Sequence, residues 1–308
     1  MLNMIQMDVF RMFKTKSLYV IYIVMFVIVV LTTMLMASEL ELDESGTPAA
    51  TATENTEPQS FMDRVADGMV ESGTDVPEES VETEEEQETV IGIAVNPPTE
   101  DGAKATVYDL VFANLQAKFI AMFMVIFAVL FATADIGSGY IKNFAGQVKN
   151  RWKLVLSKAI ALFFFSVLTI LLYVLMQAVS MPIAYGYLEI GNLSEFLPYL
   201  GIQTLLHYGF VCVCMAFAIV FRNNLCSMTL SLCICFGIAN VLYAFIDKAL
   251  AKIGIKDFET IKYTISGRIA RLPMNPTGSD AGKCILLAAM FILVFVGISS
   301  YVFQKRDV

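Results

Sequence analysis

Residues 18–37 read LYVIYIVMFVIVVLTTMLMA, a run that carries no charge. An α-helix rises about 1.5 Å per residue and the hydrocarbon core of a bilayer is about 30 Å thick, so this is the length a spanning helix needs. Arg11, Lys14 and Lys16 precede the run, and Leu35-Met36-Ala37 loosely resembles a cleavage site. The apolar stretch of a secretory signal is only about 7–15 residues, so the reading is an uncleaved first span. Five further stretches have the same character: 119–134, 159–181, 199–221, 225–246 and 284–303. Apolar residues occur all round each of them, and the runs are too long and too uniform for strands. The expectation is an all-α, polytopic membrane protein with six transmembrane helices.

Composition agrees. Apolar residues make up 57% of the 308 and charged residues 16%, with mean hydropathy +0.66. Soluble domains carry about 25% charged residues, which excludes an ordinary soluble enzyme. The net charge of −8 is a sum of unlike parts. Between Glu39 and Leu110 stand 20 acidic residues against Arg64 and Lys104, a local −18, which leaves +10 on the other 236 residues.

Outward from the first span, residues 1–17 read as an interfacial helix, with Leu2, Ile5, Val9 and Phe13 on one face. After the span at 18–38, residues 39–118 form the acidic extracytoplasmic insert. Its run Glu78-Glu79-Ser80-Val81-Glu82-Thr83-Glu84-Glu85-Glu86 repels itself and buries too little to offset chain entropy, so the insert is expected to be largely flexible. Short elements are expected only near its edges, a helix over 61–70 and a strand-like patch over 90–95. The insert reads either as a surface loop or as an electrostatic lure for cationic molecules. Residues 119–308 form the five-span remainder. Within it, 135–158 is a cytoplasmic loop, and 247–283 holds re-entrant or interfacial helices with Lys248, Lys252 and Lys256 as a basic stripe. Three bases before the first span place both termini in the cytoplasm, although the whole Lys/Arg tally divides 11 inside to 10 outside.

Catalytic chemistry finds little footing. Gly278-Ser279-Asp280-Ala281-Gly282-Lys283-Cys284 imitates a phosphate loop but has three residues between the glycines instead of four, and cysteine where Ser or Thr should hold magnesium. The six cysteines, Cys212, Cys214, Cys226, Cys233, Cys235 and Cys284, lie in or beside spans with none in the longer loops, so neither a zinc site nor an external disulfide framework is expected. His207 is the single histidine, and no serine–histidine–acid triad forms around it. Gln177, Gln203, His207, Ser231 and Asn240 are polar residues in apolar spans that either line a path or hold helices together by hydrogen bonds. No metal and no cofactor is expected in this chain.

One segment is more specific. Residues 135–144 read DIGSGYIKNF and residues 148–158 read VKNRWKLVLSK. An acidic residue and a glycine precede a lysine. Then an arginine, five spacers and Ser-Lys lead into the next span. Through Asp135, Gly139, Lys142, Asn143, Arg151, Ser157 and Lys158 this resembles the first cytoplasmic loop of ATP-binding-cassette type 2 permeases, with Asn150 where serine is commoner. The opening at 4–17 and the ending Phe303-Gln304-Lys305-Arg306-Asp307-Val308 are similar to those of such permeases in Gram-positive bacteria. The resemblance covers nearly the whole chain except the acidic insert. It implies a bacterial plasma-membrane exporter subunit that docks a separate ATPase, holder of ATP and magnesium, on a short coupling helix around 139–148 and on the N-terminal helix. It also implies a second permease chain, identical or related, and membrane lipid but no nucleic acid as partners. The expected cargo is amphipathic or hydrophobic, an antimicrobial peptide or drug first. The alternative is a sensory or immunity module that binds cationic peptides through the acidic loop without pumping.

Overall fold

The computed structural model describes residues 1–44, 89–90, 93–94, 104–137, 151–253 and 258–305. Contacts divide the chain into Met1–Ala37 with Glu88–Val308, and Ser38–Gln87. Of the second unit only the helical stretch through Glu44 is described; all other described residues belong to the first. The expected helix at 61–70, the coupling helix around 139–148 and Lys256 lie outside the described residues.

The described chain is helical apart from one small antiparallel ladder. It opens with α1 (Leu2–Lys14) and, past Thr15, α2 (Lys16–Glu44). The ladder pairs β1 (Thr89–Val90) with β2 (Ile93–Ala94). Then come α3 (Val107–Gln116), α4 (Phe119–Gly137), α5 (Trp152–Tyr185) and α6 (Leu193–Phe221). After Arg222 and Asn223 follow α7 (Asn224–Cys235) and α8 (Ala239–Lys252). A 3-10 turn (Thr260–Tyr263), the short α9 (Ile265–Arg271) and α10 (Gly278–Lys305) complete the order. Among the described residues four helices are long and apolar enough to cross a membrane: α2 as far as Ser38, α5, α6 and α10. Two bent pairs, α3 with α4 at 57° and α7 with α8 at 66°, raise the number to six if each is one span.

The bends are where the structure differs from the uniform runs of the sequence. Residues 107–116 belong to the expected insert, yet α3 is buried along almost its whole length. Thr106 starts it: its hydroxyl accepts the Asp109 N–H, while the Asp109 carboxylate accepts the Thr106 N–H at 2.9 Å. This reciprocal cap satisfies donors that a helix start would otherwise leave open. The chain then turns through Lys118, a non-glycine residue at φ 62°, while the second bend turns through Gly237 at φ 77°, where the missing Cβ removes the steric penalty. The two bends touch. Cys235, which ends α7, places its Sγ 3.9 Å from the Lys118 carbonyl.

α6 is the central helix, with 72% of its apolar window buried against 11% for α10. Small residues such as Gly209, Cys212, Cys214, Ala216 and Ala218 let neighbouring helices approach closely, since packing rather than water exclusion drives association in lipid. α2 is joined to α5 by hydroxyl pairs: Tyr22 with Thr169 at 2.9 Å and Thr33 with Ser180 at 3.2 Å. Both pairs span 147 positions, so the two helices run parallel and in register.

A Cβ on Gly267 would collide with the backbone carbonyl of Ile261, so α9 packs against the 3-10 turn only because that side chain is absent. Gly267→Ala should therefore lower stability by about 1–3 kcal/mol. Gly201→Ala, in an open stretch of α6, should be neutral or slightly stabilising. Thermal unfolding of the purified protein in detergent compares the two.

Candidate functional site

Polar side chains collect at three levels of the bundle. At the end carrying α1, Asp8 is buried and its carboxylate accepts the hydroxyl of Ser157, near the start of α5. Arg11 follows one turn later with a guanidinium nitrogen 3.9 Å from the same carboxylate. Lys158 is buried beside them; its ammonium donates to the Ala132 carbonyl at 3.4 Å and lies 5.5 Å from the centre of the Phe131 ring. α1 is thus locked to the head of α5 through an acid–hydroxyl contact, with α4 held by the neighbouring lysine. Arg151 sits immediately before α5 as its N-cap. Asp135 falls in α4 but its side chain is outside the described residues, as are Gly139, Lys142 and Asn143 entirely.

At mid-bundle, α5 carries Ser166, Thr169, Tyr173, Gln177 and Ser180 at helical spacing, all buried. Gln177 donates to the Thr33 hydroxyl at 3.0 Å and accepts from Tyr173 at 3.4 Å. Gln177 therefore joins α2 to α5.

At the opposite end, the last turn of α9 and the segment after it hang from side-chain donors. Gln203 donates to the Ile269 carbonyl at 3.1 Å, Gln116 to that of Leu272 at 3.1 Å and Tyr108 to that of Met274 at 2.6 Å. Carbonyls past a helix end have no intrahelical partner, and here α3 and α6 supply them. Glu259 braces the same segment from its exposed side. It pairs with Lys262 at 2.8 Å and Arg271 at 3.4 Å, and Lys262 first, then Arg271, hold its carboxyl below the usual range.

No family model matches the chain, and no curated protein matches it.

The five polar residues singled out in the spans do not converge. Gln177 belongs to the α2–α5 contact and Gln203 to the α6–α9 contact. His207 is buried one turn from Gln203 and donates its Nδ1 proton to the Gln203 carbonyl at 2.8 Å, which leaves Nε2 with a lone pair and no partner among the described residues. Ser231 is buried in α7, again with its hydroxyl unpartnered among those residues. Asn240 is exposed at the second bend, where its N–H caps the Gly237 carbonyl at 2.8 Å. Among the described residues no three His, Cys, Asp or Glu side chains come together as a metal site would require. Sequence reasoning passed over Asp8, Tyr108, Gln116, Thr33 and Ser180. The α5 stripe was available in the spacing 166, 169, 173, 177 and 180, whereas the donors to 269–274 are fixed only by the tertiary approach of distant segments.

Three variants separate these roles. Thr33→Val and Gln177→Leu should each lower stability, and a double-mutant cycle should return a coupling of about 0.6 kcal/mol, the usual size of a polar contact between membrane helices. Gln116→Leu leaves the Leu272 carbonyl unpartnered, so amide hydrogen exchange over 265–277 should accelerate while that of α6 stays slow.

Proposed function

We propose that this chain is the membrane-spanning permease subunit of an ATP-binding-cassette exporter, with ATP hydrolysed by a separate partner subunit. The cargo is an amphipathic or hydrophobic molecule, an antimicrobial peptide or drug foremost. The observation that carries the reading is the lock between α1 and α5. Asp8 and Ser157 join the N-terminal helix to the stretch that resembles the permease coupling loop, so a force applied to either moves both. A rigid link of that kind is what transmission from a docked ATPase requires, because a ligand or partner shifts a bundle only by contacts that differ between its two packings.

In this reading six spans cross a bacterial plasma membrane with both termini cytoplasmic, two permease chains form the complex, and Asp135, Gly139, Lys142, Asn143, Arg151 and Lys158 form or brace the ATPase contact. The bent pairs and the suspended segment at 258–277 fit a re-entrant cover at the far end. Because that segment hangs from α3 and α6, repacking of those helices would move it. The alternative, a sensory module that captures cationic peptides, draws on the −18 charge between Glu39 and Leu110.

Lys142→Glu with Arg151→Glu should abolish co-purification of the ATPase and its stimulation by the permease; an intact, fully active complex refutes the docking assignment. Deleting residues 43–88 separates the two readings. Export that continues makes the insert a passive loop, whereas lost peptide capture in a chain that never pumped favours the sensor.

A further inference from the structure

The end of the bundle that carries α1 contains a cavity of about 660 Å³. Sites for small molecules and headgroups fall in the range of about 300–1,000 Å³. Arg11 and Lys14 enter its wall from the last turn of α1, and Arg222 from the turn between α6 and α7. Phe127, Leu130 and Phe131 of α4 line the same cavity. Cationic side chains from two separate parts of the chain thus meet three large apolar ones in one space. The uncharged run of α2 begins at Leu18, immediately after the α1–α2 corner that borders the cavity, so the cavity sits where a polar surface gives way to an apolar interior.

Charge is in excess there. Asp8 stands 3.9 Å from Arg11 and also accepts from Ser157. Among the described residues no carboxylate pairs with Lys14 or Arg222. Arg222 is also conformationally costly. It ends α6 at φ 53°, a left-handed position where glycine is the usual residue and where other residues cost about 1–3 kcal/mol. A glycine there would close the helix at lower cost but would remove the guanidinium from the cavity wall.

We propose that this cavity binds the phosphate-bearing headgroup of an anionic phospholipid. Lys14 and Arg222, with Arg11 behind them, take the phosphate, and the phenylalanine wall takes the glycerol and the first methylenes. A free phosphate would satisfy the cations and leave the aromatic wall uncovered, whereas a lipid uses both halves of the lining. Basic recesses between membrane helices recognise charged headgroups in this way, at about 1 kcal/mol per Lys or Arg near the surface. Lipid binding here does not require that the chain be an exporter.

The test uses the full chain in nanodiscs of phosphatidylcholine with about a quarter phosphatidylglycerol, counting the lipids retained after extraction by native mass spectrometry. The parent should retain phosphatidylglycerol selectively and melt higher in its presence. Lys14→Gln with Arg222→Gly should weaken that retention roughly 30-fold. Glycine suits the left-handed position, so the variant should melt no lower than the parent in phosphatidylcholine alone. Lys283→Gln, at the opposite end of α10, should leave retention unchanged. If the double variant does melt lower, the exposed Lys14→Gln alone carries the comparison, with a loss of roughly fivefold. Equal retention by parent and variants overturns the proposal. So does displacement of the lipid by equimolar inorganic phosphate, which would mark a site for a free anion.

Discussion

Non-helical backbone buried among apolar segments needs a protein partner for every N–H and C=O it frees, and the rest of this fold is arranged around that need. Two bent helix pairs are interrupted, α3–α4 at Lys118 and α7–α8 at Gly237, and the interruptions touch through Cys235. The Lys118 carbonyl receives the Met122 N–H at 3.1 Å within its own helix and the Cys235 thiol from the other break. The end of α9 is treated likewise, with Gln203, Gln116 and Tyr108 supplying donors to its loose carbonyls. α6 must therefore be central, because it both contributes a donor and offers the small residues that let the broken helices approach.

That arrangement divides labour among the polar side chains. Those on α5 and α2 hold two uninterrupted helices in parallel register, while those on α3 and α6 support an interrupted segment. Among the described residues the His207 Nε2 and the Ser231 hydroxyl have no hydrogen-bond partner. The α1 end differs. There the side chains are charged, Asp8 and Lys158 are buried, and the contacts run between α1, α4 and the head of α5.

Much of the architecture was legible in the amino-acid order, since length and apolarity alone mark a run such as 18–37 as a helix able to span. The interruptions were not. The break at Lys118 falls between Ala117 and Phe119, with no glycine or proline to mark it, and its left-handed turn lies against the end of α7. Gly237 was a local hint, but an isolated glycine inside an apolar run is equally compatible with an unbroken helix. α3 was hidden because its flanks are acidic and polar, so its apolar content was averaged into the insert. The Asp8–Ser157 contact joins residues 149 positions apart, and no periodicity reports on such a pair.

The helices on either side of the stretch between α2 and α3 meet each other. Met36 packs with Leu110 and Ala113, and the start of α3 is fixed by the Thr106–Asp109 cap and by the Val107 N–H donating to the Glu189 carbonyl at 2.8 Å. With both ends held by the helical body, doubling the length of the chain between them costs only about 0.6 kcal/mol of closure entropy. Closure entropy alone therefore sets little limit on that length. Among descendants of one ancestor the helices should drift slowly while this stretch is rewritten, and any constancy found in it would report on what it touches rather than on what it holds together.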